Sequence, residues 1–320
     1  MRRLLWPLVI LLPACGQAVF SPACRTPEAD ELARPVAAVP DGRGRLLVVN
    51  ADTDERYCGG FIAVRDASSG AATAEAVLVP VAQGFEANFP GGVTADEKLW
   101  LAGRRYGSLI GLDIATLEVV VDVPEVFADR LAAMGNDRLL AWTAKTGDPE
   151  LIWFDTTGRE LGRVVSTLAP LSATAWDPEL KRLWLGFAGA GNVQFVDAEQ
   201  PDVIHTRFPR GVGTDHTISG MVWHNGVVYA SDSAAGIVLS WRSDDGEPLA
   251  AEPVGRSPGA LAVDARGRLW ALDSDGAVLR RDAVGWEVVT AVGRPTGLLF
   301  ANQMTWVLDY ASSKLIEAGS

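Results

Sequence analysis

The stretch GALAVDARGRLWALD, residues 259–273, decides the fold. It reads as two short runs in which apolar residues alternate with small or polar ones, joined by the turn DARG. That is the pattern of a β-hairpin; a helix would repeat its apolar positions every three or four residues. The unit recurs as SGMVWHNGVVYASD (219–232), SATAWDPELKRLWLGF (172–187) and TGLLFANQMTWVLD (296–309), with WHNG, DPELK and FANQ as the turns. Its second run can be followed through the chain at intervals of about 40 residues. The copies are RLLVVN (45–50), KLWLAG (98–103), RLLAWT (138–143), RLWLGF (182–187), VVYASD (227–232), RLWALD (268–273) and MTWVLD (304–309). Leu47, Trp100, Leu140, Trp184, Tyr229, Trp270 and Trp306 hold the third position, where a large side chain would pack between layers.

A third apolar run follows each copy, as in SLIGLDI, ELIWFDT and KLIEAGS, and a variable fourth, such as EVVVDVP or WEVVTAV, completes most units. Four antiparallel strands per repeat, with no helical periodicity, describe the blade of an all-β propeller. Seven copies predict one domain of seven four-stranded blades over residues 35–320, with six blades and a partial cap as the alternative. The last unit reaches Ser320 without room for a fourth strand. Residues 28–38 are expected to supply it, because an unpaired outer edge would otherwise be exposed.

The phrases VGRSPGALAVDARGRLWALDSDG (254–276) and SGMVWHNGVVYASDSAAGIVLSW (219–241) resemble the YVTN and NHL-type propeller repeats. This resemblance implies an architecture and no particular chemistry. LLVVNADTDERYCGGFIAVRD (46–66) resembles the opening blade of propeller lipoproteins of myxobacteria, with Asn50, Asp54, Tyr57, Gly59 and Gly60 in comparable places and Cys58 as a departure. The phrase DARGRLWALD also resembles gluconolactonase-type lactonases and the streptogramin lyase, which are metal-dependent propeller enzymes. Their metal and catalytic residues have no match here position by position.

The first residues read as an export signal: Arg2 and Arg3, then an apolar run from Leu4 to Leu12. That run is far shorter than the roughly 20 apolar residues a spanning helix needs. Leu12-Pro13-Ala14-Cys15 resembles the bacterial lipobox. The resemblance implies a signal peptide over 1–14, acylation of Cys15, and a lipidated linker over 15–34. Gly16 stands where an aspartate would favour inner-membrane retention, so the outer membrane of a bacterial envelope is expected. A plain secretory signal cut near Ala18 is the alternative. Cys24 and Cys58 then remain, an even pair that an oxidising compartment would join as one disulfide; two free buried thiols are the other outcome.

Composition narrows the partners. The net charge of −12, without a basic stripe, disfavours nucleic acid. Asn50, Asp232, Asp273 and Asp309 end four of the marker strands and by register fall on one rim. Convergent side chains there could bind a polar ligand or a cation. Their recurrence favours a structural role, each accepting hydrogen bonds from an adjoining turn. Asp52 and Asp54 alternate in a way that could approach calcium from one loop. They lack the glycine and the distal glutamate of a full calcium loop, and a solvated acidic hairpin is the simpler reading. No other cofactor is indicated, and the cysteines and histidines lack zinc spacing.

The three histidines, His205, His216 and His224, fall within one unit by sequence. His216, beside Asp215 on the loop 209–219, is the candidate for a binding loop or a base with its orienting carboxylate. Gly255-Arg256-Ser257-Pro258-Gly259 satisfies the nucleophile-elbow pattern, but a strand follows it and VGRPTGLL (292–299) repeats it with Pro295 at the serine position. The expected protein is a monomeric, lipid-anchored propeller that binds an envelope protein or polysaccharide without catalysis. A divalent-metal-dependent enzyme, lactonase-like or lyase-like, is the alternative.

Overall fold

The computed structural model describes residues 25–51, 60–79, 92–103, 107–128, 130–142, 150–165, 170–189, 193–207 and 216–319. These residues form seven antiparallel sheets, spanning 35–79, 92–124, 130–165, 171–207, 218–253, 258–291 and 295–319, and no helix. The first six sheets have four strands in chain order and the seventh has three. The innermost strands of consecutive sheets pack side by side, and Pro35–Pro40 lies against Pro295–Ala301, which closes a seven-bladed propeller.

The marker runs are the second strands. Leu269–Asp273 is buried at every position and Arg45–Asn50 at all but its first residue, because each second strand is covered on both faces by neighbouring blades. The outer strands Val119–Pro124 and Glu160–Val165 alternate in exposure, with one face against a blade and one in water. The turn chemistry sets the register. Asn225 (φ 47°) and Gly226 (φ 75°) both take the left-handed conformation of a two-residue hairpin turn, which pairs His224 with Val227. Asn302 and Gln303 (φ 47° and 68°) do the same between Ala301 and Met304.

The core is divided by blade. Leu47, Ile62, Leu99 and Ile110 fill the seam between blades one and two, and Trp270, Leu272, Val307 and Leu298 fill that between six and seven. Trp100, Trp184 and Trp270 are under 2% exposed. Gly111, opposite Trp100 in the register, leaves room for the indole: a Cβ there would stand 3.2 Å from the ring.

Ring closure differs from the sequence expectation. Residues 35–40 do not complete the last blade; they form the innermost strand of the first, with Val39 opposite Leu47. The turn Asp41–Gly44 leads straight into Arg45–Asn50, so the two runs make the same hairpin as in every other blade. Among the described residues nothing pairs with the outer edge of Lys314–Gly319. The seam is instead pinned by side chains and by the arm before Pro35. Arg65 Nη2 donates to Glu31 O (3.0 Å), Arg34 N to Ser313 Oγ (3.1 Å) and Trp306 Nε1 to Ala67 O (3.0 Å).

On the face carrying the hairpin turns, an aspartate ends the third strand of several blades and holds the next turn. Asp66 accepts from the hydroxyls and N–H groups of Ser68 and Ser69, which bring its carboxyl down to about 2. N–H groups of Thr116 and Ala115 lower Asp113, and those of Val284 and Gly285 lower Asp282. A depressed carboxyl contributes stability that is present above the unfolded value of about 4 and is lost as pH falls through the folded one. The urea midpoint is therefore expected to stay level from neutral pH to about pH 5 and to fall steeply below about pH 4. A midpoint unchanged down to pH 2.5 would contradict this.

Candidate functional site

The opposite face carries the loops between blades and the turns between second and third strands. There the three rim aspartates are buried, at 0%, 3% and 3% exposure for Asp232, Asp273 and Asp309. Asp273 Oδ2 accepts from Arg256 N (2.8 Å) and Ser257 N (3.0 Å) in the preceding inter-blade loop, and its Oδ1 from Asp275 N (3.0 Å) in the following turn. Asp309 accepts from Arg294 N (3.0 Å) and Gly293 N (3.3 Å) on one side and from Ala311 N (3.1 Å) and Ser312 Oγ (2.7 Å) on the other. Asp232 Oδ1 accepts from Thr217 N, Ala234 N and Ala235 N, each at 3.1 Å. Asn50 does a reduced version of the same, accepting from Ala33 N (2.9 Å) and donating to Val48 O (3.0 Å). Each of the three aspartates clips two loops together. Burial alone would raise the Asp309 carboxyl, but the bonds from Ser312, Arg294 and Gly293 outweigh it and hold the group below its ordinary range.

His216 bonds through Nδ1 to the remaining oxygen of Asp232, and its side chain is 15% exposed. The carboxylate beside it in sequence, Asp215, lies outside the described residues, so the orienting partner is one that only the fold brings near. The three histidines do not meet. His205 sits on the outer strand of blade four, stacked on Phe195 (4.8 Å between ring centres). His224 ends the inner strand of blade five on the far face, where its Nε2 would be 2.9 Å from a Cβ on Gly267.

A second feature of this face was not anticipated. The second residue of the inner strand is Ser172, Ser219 and Thr296 in blades four, five and seven, and each hydroxyl reaches the first residue of the next blade. Ser219 Oγ donates to Pro258 O (2.6 Å), Thr296 Oγ1 to Pro35 O (2.9 Å) and Ser172 Oγ to Ile218 O. Arg130 Nη1 donates to Ser172 O across the seam before. The signal was available, since the repeats SATAW, SGMVW and TGLLF all open on a hydroxyl, but strand patterning gives no reason to read it. These residues line the axis. A cavity of about 310 Å3 opens at the mouth among Ser219, Ser233, Ser257, Ser274, Pro295 and Thr296. A deeper one of about 260 Å3 shares Ser219, Ala260 and Thr296 with it and continues to Arg130, Trp142 and Met221.

Ser257 of the elbow pattern belongs to this mouth. The strand Pro258–Val263 follows it directly, and by pairing register Arg294 takes its place in the next repeat, one residue from the Pro295 inferred from the sequence. Cys15, Cys24, Cys58, Asp52 and Asp54 lie outside the described residues. A divalent ion does not fit the described rim: the carboxylate oxygens are taken up by N–H and hydroxyl donors, and among the described residues no three of His, Cys, Asp and Glu converge.

No protein-family model matches the chain, and no curated protein matches it. Solved structures do. Virginiamycin B lyase from Staphylococcus aureus superposes with a TM-score of 0.70 at 11% identity, over 91% of this chain and 95% of that one. A catalytically inactive His-to-Ala variant of the same lyase, with quinupristin, gives 0.66 at 11% over 87% and 92%. Hydrazine synthase of Kuenenia stuttgartiensis gives 0.69 at 12% over 95% and 99%. At such identities the likeness is one of fold.

Proposed function

We propose that the chain is a lipid-anchored protein of the bacterial envelope that binds a protein or polysaccharide partner on the loop face of its propeller, without transforming it. The observation that carries this reading is the engagement of Asp232, Asp273 and Asp309 by backbone donors on both sides. Carboxylates held this way stiffen a presenting surface and have few lone pairs left for chemistry. The Leu12–Cys15 motif supports the anchor. Metabolic labelling with a fatty acid is expected to mark the wild-type chain and to miss Cys15→Ser. Capture of the intact lipoprotein from its own envelope is expected to retrieve a partner that the purified protein rebinds unchanged.

A second reading is favoured by one contact. An imidazole fixed through Nδ1 by a buried carboxylate is the arrangement of a general base with its orienter. His216 is the histidine on the loop face, and in the virginiamycin B lyase solved with quinupristin a His-to-Ala change leaves the enzyme catalytically inactive. If His216 is a base, His216→Ala removes turnover found in a broad lyase and lactonase screen while the fold is kept. Under the binding reading the screen finds no turnover.

A further inference from the structure

The channel mouth has a chemistry of its own. A hydroxyl carries one proton and two acceptor positions. At Ser219 and Thr296 that proton is directed to a carbonyl, Pro258 O at 2.6 Å and Pro35 O at 2.9 Å, so toward the lumen these oxygens present acceptors. Ser233 Oγ likewise donates to Thr217 O (3.3 Å). Pro295 brings no N–H, and the Asp273 carboxylate is occupied by N–H groups. Acceptors thus predominate where the hydroxyl protons are already placed, and Ser257 and Ser274 add hydroxyls able to donate or accept, which suits a guest carrying several O–H groups.

Charge narrows the guest. The net charge of −12 disfavours an anion, and a cation finds at the mouth only the Asp273 carboxylate, which N–H groups already occupy. The deeper chamber adds apolar surface from Leu131, Trp142, Met221 and Leu261. Hydroxyl groups interspersed with apolar side chains along the two cavities match a sugar ring, which carries O–H donors at its rim and C–H groups on its faces. The mouth, at about 310 Å3, is in the range of small-ligand clefts.

From this we infer that the axial cavity between Ser219, Ser257, Ser274 and Thr296 binds the uncharged end of a glycan chain. The inference rests on the binding reading and specifies its ligand class. It is tested with the full-length protein in a detergent lacking a sugar headgroup, by calorimetric titration with neutral tetramers of glucose and of N-acetylglucosamine, with spermidine and citrate alongside. Ser274 is exposed on its turn, so Ser274→Trp plugs the mouth without entering the core. Saturable binding of a neutral tetramer at millimolar concentration or below, weakened about tenfold or more by Ser274→Trp and little by Val284→Trp, whose site is 97% exposed on the opposite face, is the expected result. Thermal midpoints of both variants equal to wild type keep the comparison valid, and Ser233→Trp serves if Ser274→Trp fails to fold. Absence of binding by either neutral tetramer, binding that ignores the plug, or tighter binding of spermidine or citrate overturns the inference. Capture of a protein partner in those cases would leave the binding reading standing, whereas turnover of a bound sugar would overturn that reading and keep the site.

Discussion

Asp273→Ala is expected to lower the unfolding free energy by about 2–4 kcal/mol, measured as a shift of the urea midpoint at constant slope. The side chain is 3% exposed and accepts from three N–H groups in two different loops. Alanine strands all three. A buried donor without a partner costs about 1–3 kcal/mol, and the exposure of neighbouring Arg256 lets water recover part of it. Asp273→Asn is expected to fall between, at about 1–2 kcal/mol, because its amide can turn its oxygen to the N–H groups of Arg256 and Ser257 but then sets an NH2 against the N–H of Asp275. Asn50 carries an amide at the equivalent place in blade one, where among the described residues it accepts from Ala33 N and donates to Val48 O. A variant with unchanged midpoint and lost binding would assign Asp273 to the ligand and not to the frame.

Gly276→Ala should be at least as damaging. Its φ is +93°, a conformation that costs an L-residue about 1–2 kcal/mol. An added Cβ would stand 2.0 Å from Val292 O, a backbone atom of the next inter-blade loop that is held there because Val292 N donates to Gly276 O at 2.8 Å. Backbone cannot swing aside as a side-chain tip can, so overpacking adds about 1–3 kcal/mol. The expected total is about 2–5 kcal/mol, read as a fall in the thermal midpoint of several degrees. Gly42→Ala is the control. Gly42 also has positive φ, at 73°, but nothing lies within 4 Å of its Cβ, so only the conformational part should appear. Equal losses at the two positions would remove the contact with Val292 from the explanation.

Asp273 is a position whose place was plain in the sequence and whose partners were not. Asp232, Asp273 and Asp309 could be placed on one rim by counting along the marker strands, and their recurrence already favoured corners over chemistry. Which groups they hold was hidden, since N–H donors belong to the main chain and are identical for almost every residue. The same limit hid the pairing of His216 with Asp232, which stands 16 residues on. It also hid the hydroxyl bridges from Ser172 and Ser219, which reach residues 46 and 39 positions on, and from Thr296, which reaches Pro35 261 positions back.

What the amino-acid order alone determined was the blade: alternation with period two, turns such as His224–Val227, and a large residue at the third place of each second strand are local matters of backbone sterics and side-chain direction. Closure of the ring was decided only in three dimensions. Pro35–Pro40, a segment the sequence placed in part at the edge of the last blade, pairs with Arg45–Asn50, and it becomes the closing element because the ring brings Thr296 within 2.9 Å of Pro35 O. The channel mouth belongs to the same level, assembled from residues of separate blades that share no neighbourhood along the chain and meet only because the sheets are arranged about one axis.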